Sequence, residues 1–376
     1  MKKLQTLVSF GLLWKRRWKP KPMTGSFRRR VLSFLLVFLL LLSACSSARA
    51  PENQPVRHQA GFFDFFDTYI QIILYTESRE EFDAHFDAAR QAFAHYHQLF
   101  DIFDEYPDTN NIATINRYAG MSPVSVDAAI IELLTLSKQA YFDTHGAVNV
   151  ALGPVLSIWR EYRRAGAENP AEARLPEMDS LRQAAEFTDI HDLIIDRQAE
   201  TVFLKQSGMS LDVGATAKSF AADRVADLLR ERGVEAAIIN AGGDIVTIGH
   251  SLSSDNQSWS IGVQHPDGDR LLDTVQIESQ AVSTSGGYRR AYVVEDTLYH
   301  HIIDPETLMP AKDFLSVTVV HESAMVTEIL STALFILPFD VGYALALQMD
   351  AAVIWMTSEG EIKTNDAYRV ISERFD

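Results

Sequence analysis

The chain has one cysteine, Cys45, in 376 residues. No internal disulfide is open to it, so its fold must rest on burial and hydrogen bonding. Long apolar runs are missing too. Val31 to Leu42 is a run of twelve residues, interrupted only by Ser33. That is too short to span a bilayer and has the length of a signal-peptide apolar segment. Basic residues are scarce for a nucleic-acid binder, with 34 Lys+Arg against 50 Asp+Glu. Ten of those bases lie in the first 44 residues, which hold no acid, so the rest carries 24 bases against 50 acids, a net charge of −26. A body this acidic gains nothing from counterion release, and nucleic acid is excluded as a partner. An anionic substrate would need local rescue by a metal or a few placed cations. The sequence has no internal repeat and no low-complexity segment. It lacks a Walker loop, and it lacks the duplicated βαβ pattern expected of a solute-binding lipoprotein.

What is present begins with the leader. The apolar run ends in Leu42-Ser43-Ala44-Cys45, small residues set directly before the cysteine. This resembles a lipobox and predicts a lipoprotein signal peptide over 1–44, with acyl chains on Cys45 as a membrane anchor. The basic segment ahead of the run is long, which leaves Met23 as an alternative start. Residues 45–60, rich in Ser, Ala, Pro and Gln, read as a tether. Residues 61–376 are then the folded body, with a division into two subdomains near residue 190 as an option. The expected location is extracytoplasmic, lipid-anchored to the cell membrane.

Phe62 to Tyr75, aromatic and β-branched, predicts a first strand. Phe82, Phe86, Ala89, Phe93, Tyr96 and Phe100 then recur at steps of four and three, the stripe of an amphipathic helix. A second helix is predicted over Ala128–Tyr141, and a short one after Gly153-Pro154 through Trp159. Arg163 to Pro176 reads as an exposed connection. Ile194–Asp196 and Thr201–Leu204 suggest a hairpin, and Ser219–Arg232 a helix. Strands are expected at Ala236–Asn240, Trp259–Gln264, Asp273–Ile277, Ala281–Thr284, Ala291–Val294, Leu298–Ile303 and Val317–His321. A helix over Ser323–Leu337, another after Pro338 and a last strand at Ala351–Thr357 complete the reading. Strands in clusters with helices between them argue for α+β, not a doubly wound sheet.

Several stretches carry chemistry. Tyr299-His300-His301-Ile302-Ile303-Asp304-Pro305 sets paired histidines beside a proline turn, a setting that suits a general base. Glu328 and Thr332 lie four apart on one helix face and offer two oxygens to a hard cation. Asp212 to Lys218 leads small residues into a helix N-terminus, where backbone N–H groups and a lysine suit a phosphate; an ordinary helix start is the alternative. Asn240-Ala241-Gly242-Gly243-Asp244 suggests close approach by a ligand or another segment, or a plain tight turn. Thr284-Ser285-Gly286-Gly287-Tyr288 with Arg289 and Arg290 gathers hydroxyls, bare backbone and two cations. Together these read as a nucleotide-phosphate site.

Their order is more specific than any one of them. Phe66-Asp67-Thr68, Gly146-Ala147-Val148-Asn149, Asp212 to Lys218, Gly242-Gly243-Asp244, Thr284-Ser285-Gly286, His301 to Pro305 and Leu330-Ser331-Thr332-Ala333-Leu334 resemble, in sequence order, the ApbE family of FAD:protein FMN transferases. The resemblance covers roughly Phe62 to Glu361. It implies an α+β fold with mixed or antiparallel sheets and packed helices around a flavin cleft. It also implies that FAD is the substrate and Mg2+ the cofactor. Phe66, Ala147, Val148, Asn149, Gly214, Lys218, Ser285, Gly286 and Ile302 would contact FAD. The Ala217 carbonyl, Glu328 and Thr332 would hold the metal, and His301 would take the proton. The partner implied is an acceptor protein with a Ser/Thr-Gly-Ala-Thr motif. This chain departs from the family at Ser219, Gly287 and Thr327-Glu328, where glycine, aspartate and Ala-Asp are usual. Gly214-Ala215-Thr216 echoes the acceptor motif, but Val213 stands where a hydroxyl residue is needed, which argues against self-flavinylation. The alternatives are a non-catalytic flavin-binding lipoprotein and an FAD pyrophosphatase giving FMN and AMP.

Overall fold

The computed structural model describes residues 54–253, 257–288 and 290–375. Cys45 and the leader lie outside them. The single strand expected from Phe62 to Tyr75 is in fact a hairpin. Strands β1 (Val56–Phe62) and β2 (Ile70–Thr76) pair antiparallel, from Val56 opposite Thr76 to Phe62 opposite Ile70. The chain reverses between them at Phe66 and Asp67, which hold φ of 56° and 49°. A phenylalanine rarely adopts that region, so composition gives no warning of the turn.

Next come α1 (Arg79–Phe100), α2 (Ile112–Arg117), β3 (Val124–Ser125), α3 (Ala128–Asp143) and α4 (Gly153–Glu168). Helix α1 starts where the Ser78 side chain accepts the Glu81 N–H, and Phe82, Ala89, Phe93 and Phe100 of the expected stripe are buried. Helix α4 continues well beyond Trp159, so Arg163 is helical and not part of a connection. Gly166 does not break it. That glycine is buried, and a Cβ there would meet the Tyr292 ring at 2.6 Å. The unexpected α5 (Met178–Ala185) follows, then β4 (Leu193–Asp196) and β5 (Thr201–Leu204). Helix α6 (Ala217–Glu231) leads to β6 (Ala237–Ala241) and a strand not expected, β7 (Asp244–Ile248). The remainder is β8 (Trp259–Gln264), β9 (Leu271–Ile277), β10 (Ala281–Gly286), β11 (Ala291–Val294), β12 (Thr297–His300) and β13 (Phe314–His321). Helices α7 (Ala324–Ile336) and α8 (Phe339–Gln348) precede β14 (Ala352–Thr357), which is not the last strand. Strand β15 (Ile362–Thr364) and helix α9 (Asp366–Ile371) are the last elements among the described residues.

Among the described residues, eight strands form one sheet in the order β1-β2-β6-β7-β10-β13-β14-β15. Every neighbouring pair is antiparallel, so the architecture is α+β. Side chains alternate between its faces. Ile72, Ile239 and Val246 pack with Phe93 of α1 and Val225 of α6. On the other face Val282, Val320 and Ile354 pack with Trp259, Ile261 and Val275 of the β8–β9 hairpin and Tyr368 of α9. Helix α4 stacks separately with the β11–β12 hairpin through Trp159, Tyr292 and Ile303. Pro55–Asp376 cluster as one unit.

Candidate active site

The site begins at the β6–β7 turn. Ala241 pairs with Asp244, leaving Gly242 and Gly243 as the two turn residues at φ of 66° and 104°. Only glycine adopts both without strain. The turn is also a close approach: a Cβ on Gly242 would overlap the Thr68 hydroxyl, and the Gly242 N–H donates to the Tyr69 carbonyl at 3.0 Å. Thus the Phe66-Asp67-Thr68 and Gly-Gly-Asp segments, distant in sequence, are joined. The turn delivers Asp244, buried, to the first position of β7.

Asp244 meets the first turn of α6. The Lys218 ammonium forms ion pairs with both Asp244 and Glu328, the latter at 3.3 Å. Ser219 completes the bridge, its N–H donating to Glu328 at 3.3 Å and its hydroxyl to Asp244 at 3.2 Å. All three charged side chains are mostly enclosed, with 18%, 10% and 13% exposed for Lys218, Asp244 and Glu328. Lys218 therefore does not reach out freely from the first turn of α6; two carboxylates already hold it.

Glu328 is placed by α7. The Asp223 carboxylate on α6 accepts the Ser323 hydroxyl at 2.7 Å and the N–H groups of Ala324 and Met325 at 2.8 and 3.0 Å, tying the two helices together. An acid suits a helix N-terminus. Alternate residues of β10 are small, which lets α7 lie close. Ser283 pairs with Thr327 at 2.7 Å, and Ser285 with Ser331 and Thr332 at 3.0 and 3.3 Å. Glu328 and Thr332 thus share the helix face next to the first turn of α6, which Ala217 opens.

The paired histidines separate into two roles. The expected strand ends at His300, not Ile303, which instead bridges to Pro310. His300 has both ring nitrogens engaged: Nε2 with the Ala311 carbonyl at 2.7 Å, and Nδ1 accepting the Ile302 N–H at 3.2 Å. Burial pushes its pKa down, opposed by the Ala311 bond. His301 differs. Its Nδ1 is sealed from solvent and has no hydrogen-bond partner among the described residues. Burial first, then Arg290, Arg163 and His300, lower its pKa to about 3, with a main-chain bond to Arg290 opposing. Its imidazole is therefore neutral at ordinary pH. Asp304 shapes the turn beyond by accepting the Glu306 N–H at 2.9 Å and the Thr307 hydroxyl at 2.8 Å.

The remaining expected positions serve mainly to fix loops. Asn149 accepts the Ala151 N–H at 2.9 Å and donates to the Thr188 carbonyl at 2.9 Å. Ala147 and Val148 are buried behind His145 and Gly146, which turn at φ of 54° and 86°. Gly214 is exposed and donates its N–H to Asp212 at 2.9 Å. Ile302 is buried, with its carbonyl accepting the Ala311 N–H at 3.1 Å. At Gly286 a Cβ would strike the Tyr288 ring, so the strand end must be bare. Phe66 lies in the β1–β2 loop, its ring 5.4 Å from that of His97.

Sequence reasoning missed three groups. Asp244 stood within a quoted motif of the expected phosphate site but was given no role of its own. Asp212, also in a quoted motif, pairs with Arg160 of α4. Arg163 lay in a stretch read as a connection. A hollow of about 570 Å³ between α1 and α6 lies elsewhere, lined by His95, Tyr96, Arg224 and Arg230 among others. Its Arg224 is already matched by Glu132 and Asp227.

A metal must be tested against the donors present. Among the described residues no group of three or more His, Cys, Asp or Glu side chains could hold an ion. Asp244 and Glu328 converge on one ammonium, leaving one negative charge in excess, and the Thr332 hydroxyl lies one helical turn on from Glu328. Magnesium is commonly held by one or two carboxylates together with substrate phosphates. The donor set fits such an ion and would need a phosphate to complete it.

The ApbE family model matches residues 66–355. An FAD:protein FMN transferase of Klebsiella pneumoniae is 32% identical over 284 residues, 73% of this chain and 85% of that protein. Another FAD:protein FMN transferase, from Treponema pallidum, is 29% identical over 307 residues, covering 77% and 83% of the two chains. The crystal structure of the ApbE protein from Thermotoga maritima superposes with a TM-score of 0.74 at 27% identity, covering 84% of this chain and 99% of that one.

Proposed function

This chain belongs to the ApbE family, and from that premise we propose that it transfers FMN from FAD to a threonine hydroxyl of an acceptor protein, releasing AMP. The curated relatives are named for FMN transfer from FAD to protein. The acceptor oxygen attacks the phosphorus on the FMN side. The new P–O bond forms as the bond to the AMP phosphate breaks. The hydroxyl proton passes to His301, and AMP leaves.

The observation that carries this reading is the contrast between the two histidines. His300 spends both nitrogens on the backbone. His301 keeps a neutral ring with one unpartnered nitrogen, so a lone pair is available for a proton, although burial and the neighbouring arginines weaken it as a base. The residues that would hold Mg2+ are Glu328, Thr332 and the Ala217 carbonyl, with Asp244 adjoining. When bound, the ion would neutralise the diphosphate and ease departure of AMP. Lys218 keeps the acids in place and balances half of their charge, leaving one negative charge for the ion. The small residues from Gly214 and the β10 end at Ser285 and Gly286 give the diphosphate room to approach the backbone. Phe66, Ala147, Val148, Asn149 and Ile302 line the flavin end.

The acceptor carries a Ser/Thr-Gly-Ala-Thr type motif, and the enzyme works outside the cytoplasm, held to the membrane by lipid on Cys45. The test is incubation with FAD and Mg2+, following AMP with and without an acceptor domain. AMP that rises with acceptor supports transfer. AMP released equally without it identifies a pyrophosphatase using water. No AMP in either case leaves a flavin-binding lipoprotein.

A further inference from the structure

Building on the flavin-transfer reading, we propose that Arg163 and Arg290 form an anion seat beside His301, independent of the metal, which takes oxygens of the FAD diphosphate and turns the reacting phosphorus toward the imidazole. The two arginines come from elements far apart in sequence. In the β11–β12 ladder Ala291 faces His300. Just past the end of that ladder the His301 ring bonds to the Arg290 main chain, which keeps the two residues side by side. Arg163 arrives from α4. It lies four residues after Trp159 and three before Gly166, so all three share one helix face. That face packs on the hairpin, since Trp159 stacks on Tyr299 at 6.4 Å and Gly166 abuts Tyr292.

Neither arginine makes an ion pair among the described residues, whereas Arg160, one turn earlier, is matched by Asp212. Burial, then Arg160 and Arg290, work against the charge of Arg163, while Asp212 and Tyr292 relieve it. The two guanidiniums are near enough to repel one another, and an anion would relieve that repulsion. Arginine suits that anion, because its fork matches phosphate oxygens. The sealed, unpartnered Nδ1 of His301 lies in the same place and also awaits a partner.

The seat has a consequence for the base. The charged groups acting on His301 are Arg290 from the hairpin, Arg163 from α4 and the neighbouring His300. Around Arg163 stand Arg160, Asp212 and Tyr292. A diphosphate between the guanidiniums offsets their repulsion of a protonated ring. His301 then accepts a proton more readily with FAD bound than without it.

The test uses the full-length protein in detergent with EDTA, titrated with FAD and separately with riboflavin. Arg163→Gln and Arg290→Gln should each weaken FAD binding by about tenfold or more. Riboflavin, which has no phosphate, should bind as to wild type. Arg290→Lys, at an exposed position, should keep part of the FAD affinity. Unchanged FAD affinity in both Gln variants overturns the seat. So does an equal loss for riboflavin, which would mark a structural role. If the variants lose FAD but the wild type releases no AMP, the seat stands and the transfer reading falls. If AMP is released while FAD affinity ignores both arginines, the reverse holds.

Discussion

Replacing Lys218 with Met removes the ammonium that Asp244 and Glu328 share while keeping most of the side-chain volume. The two carboxylates are only 10% and 13% exposed, so they cannot simply turn to water. Stripping one partner from a buried pair costs about 3–5 kcal/mol. Here Ser219 still donates to both acids, which places the loss near the lower end, about 3 kcal/mol. In a body of this size that corresponds to a fall in Tm of roughly 4–5 °C. Thermal unfolding without divalent ions measures it. Millimolar Mg2+ should then restore the variant more than it stabilises wild type, because the ion replaces a missing charge instead of competing with one. Saturation at about a hundred times Kd would return about 2.7 kcal/mol. A variant as stable as wild type would show that the ammonium does not hold the acids. A destabilised variant indifferent to Mg2+ would show that they do not accept a divalent ion.

Glu328→Gln should lower Mg2+-dependent AMP release by about a hundredfold or more, while Glu328→Asp, one methylene shorter, should retain activity in the same assay. The acid limb of stability follows from His301. Its ring refuses a proton until about pH 3, whereas the unfolded chain takes one near 6.5. That contribution is complete above pH 6.5 and is lost as pH falls through this window. Urea unfolding should therefore show wild type losing about 2 kcal/mol more than His301→Gln between pH 7.5 and 5. Cys45→Ala should abolish lipidation, so that the protein leaves the detergent phase and its N-terminal peptide carries no acyl mass. Acyl chains persisting on the variant would place the anchor elsewhere.

Helix α1 was legible because its aromatic stripe repeats at the helical period over 22 residues, and nothing in its interior competes. The β1–β2 hairpin was not, because Phe66 and Asp67 take positive φ with no glycine or Asn-Gly pair to announce it. Helix α4 was cut short in the reading because Gly166 and the arginines looked like a solvent-exposed break. Only the Tyr292 ring packed against that glycine explains its place in a helix. The order of the motifs named the family and brought His301, Glu328 and Thr332 into view. It could not reveal that Lys218 is bound by acids from β7 and α7, since those contacts span 26 and 110 residues. Nor could it separate His300 from His301. That distinction lies in which ring nitrogens find a carbonyl or an N–H, a property of the folded hairpin.

The central claim is covalent transfer at His301. Its most direct measurement is the intact mass of an acceptor domain bearing a Ser/Thr-Gly-Ala-Thr motif after incubation with the protein, FAD and Mg2+. The account expects the acceptor to gain one FMN in phosphoester linkage with one AMP released. His301→Ala should slow the gain by about 10²- to 10⁴-fold. An acceptor of unchanged mass with the wild-type protein, or an equal rate with His301→Ala, would contradict it.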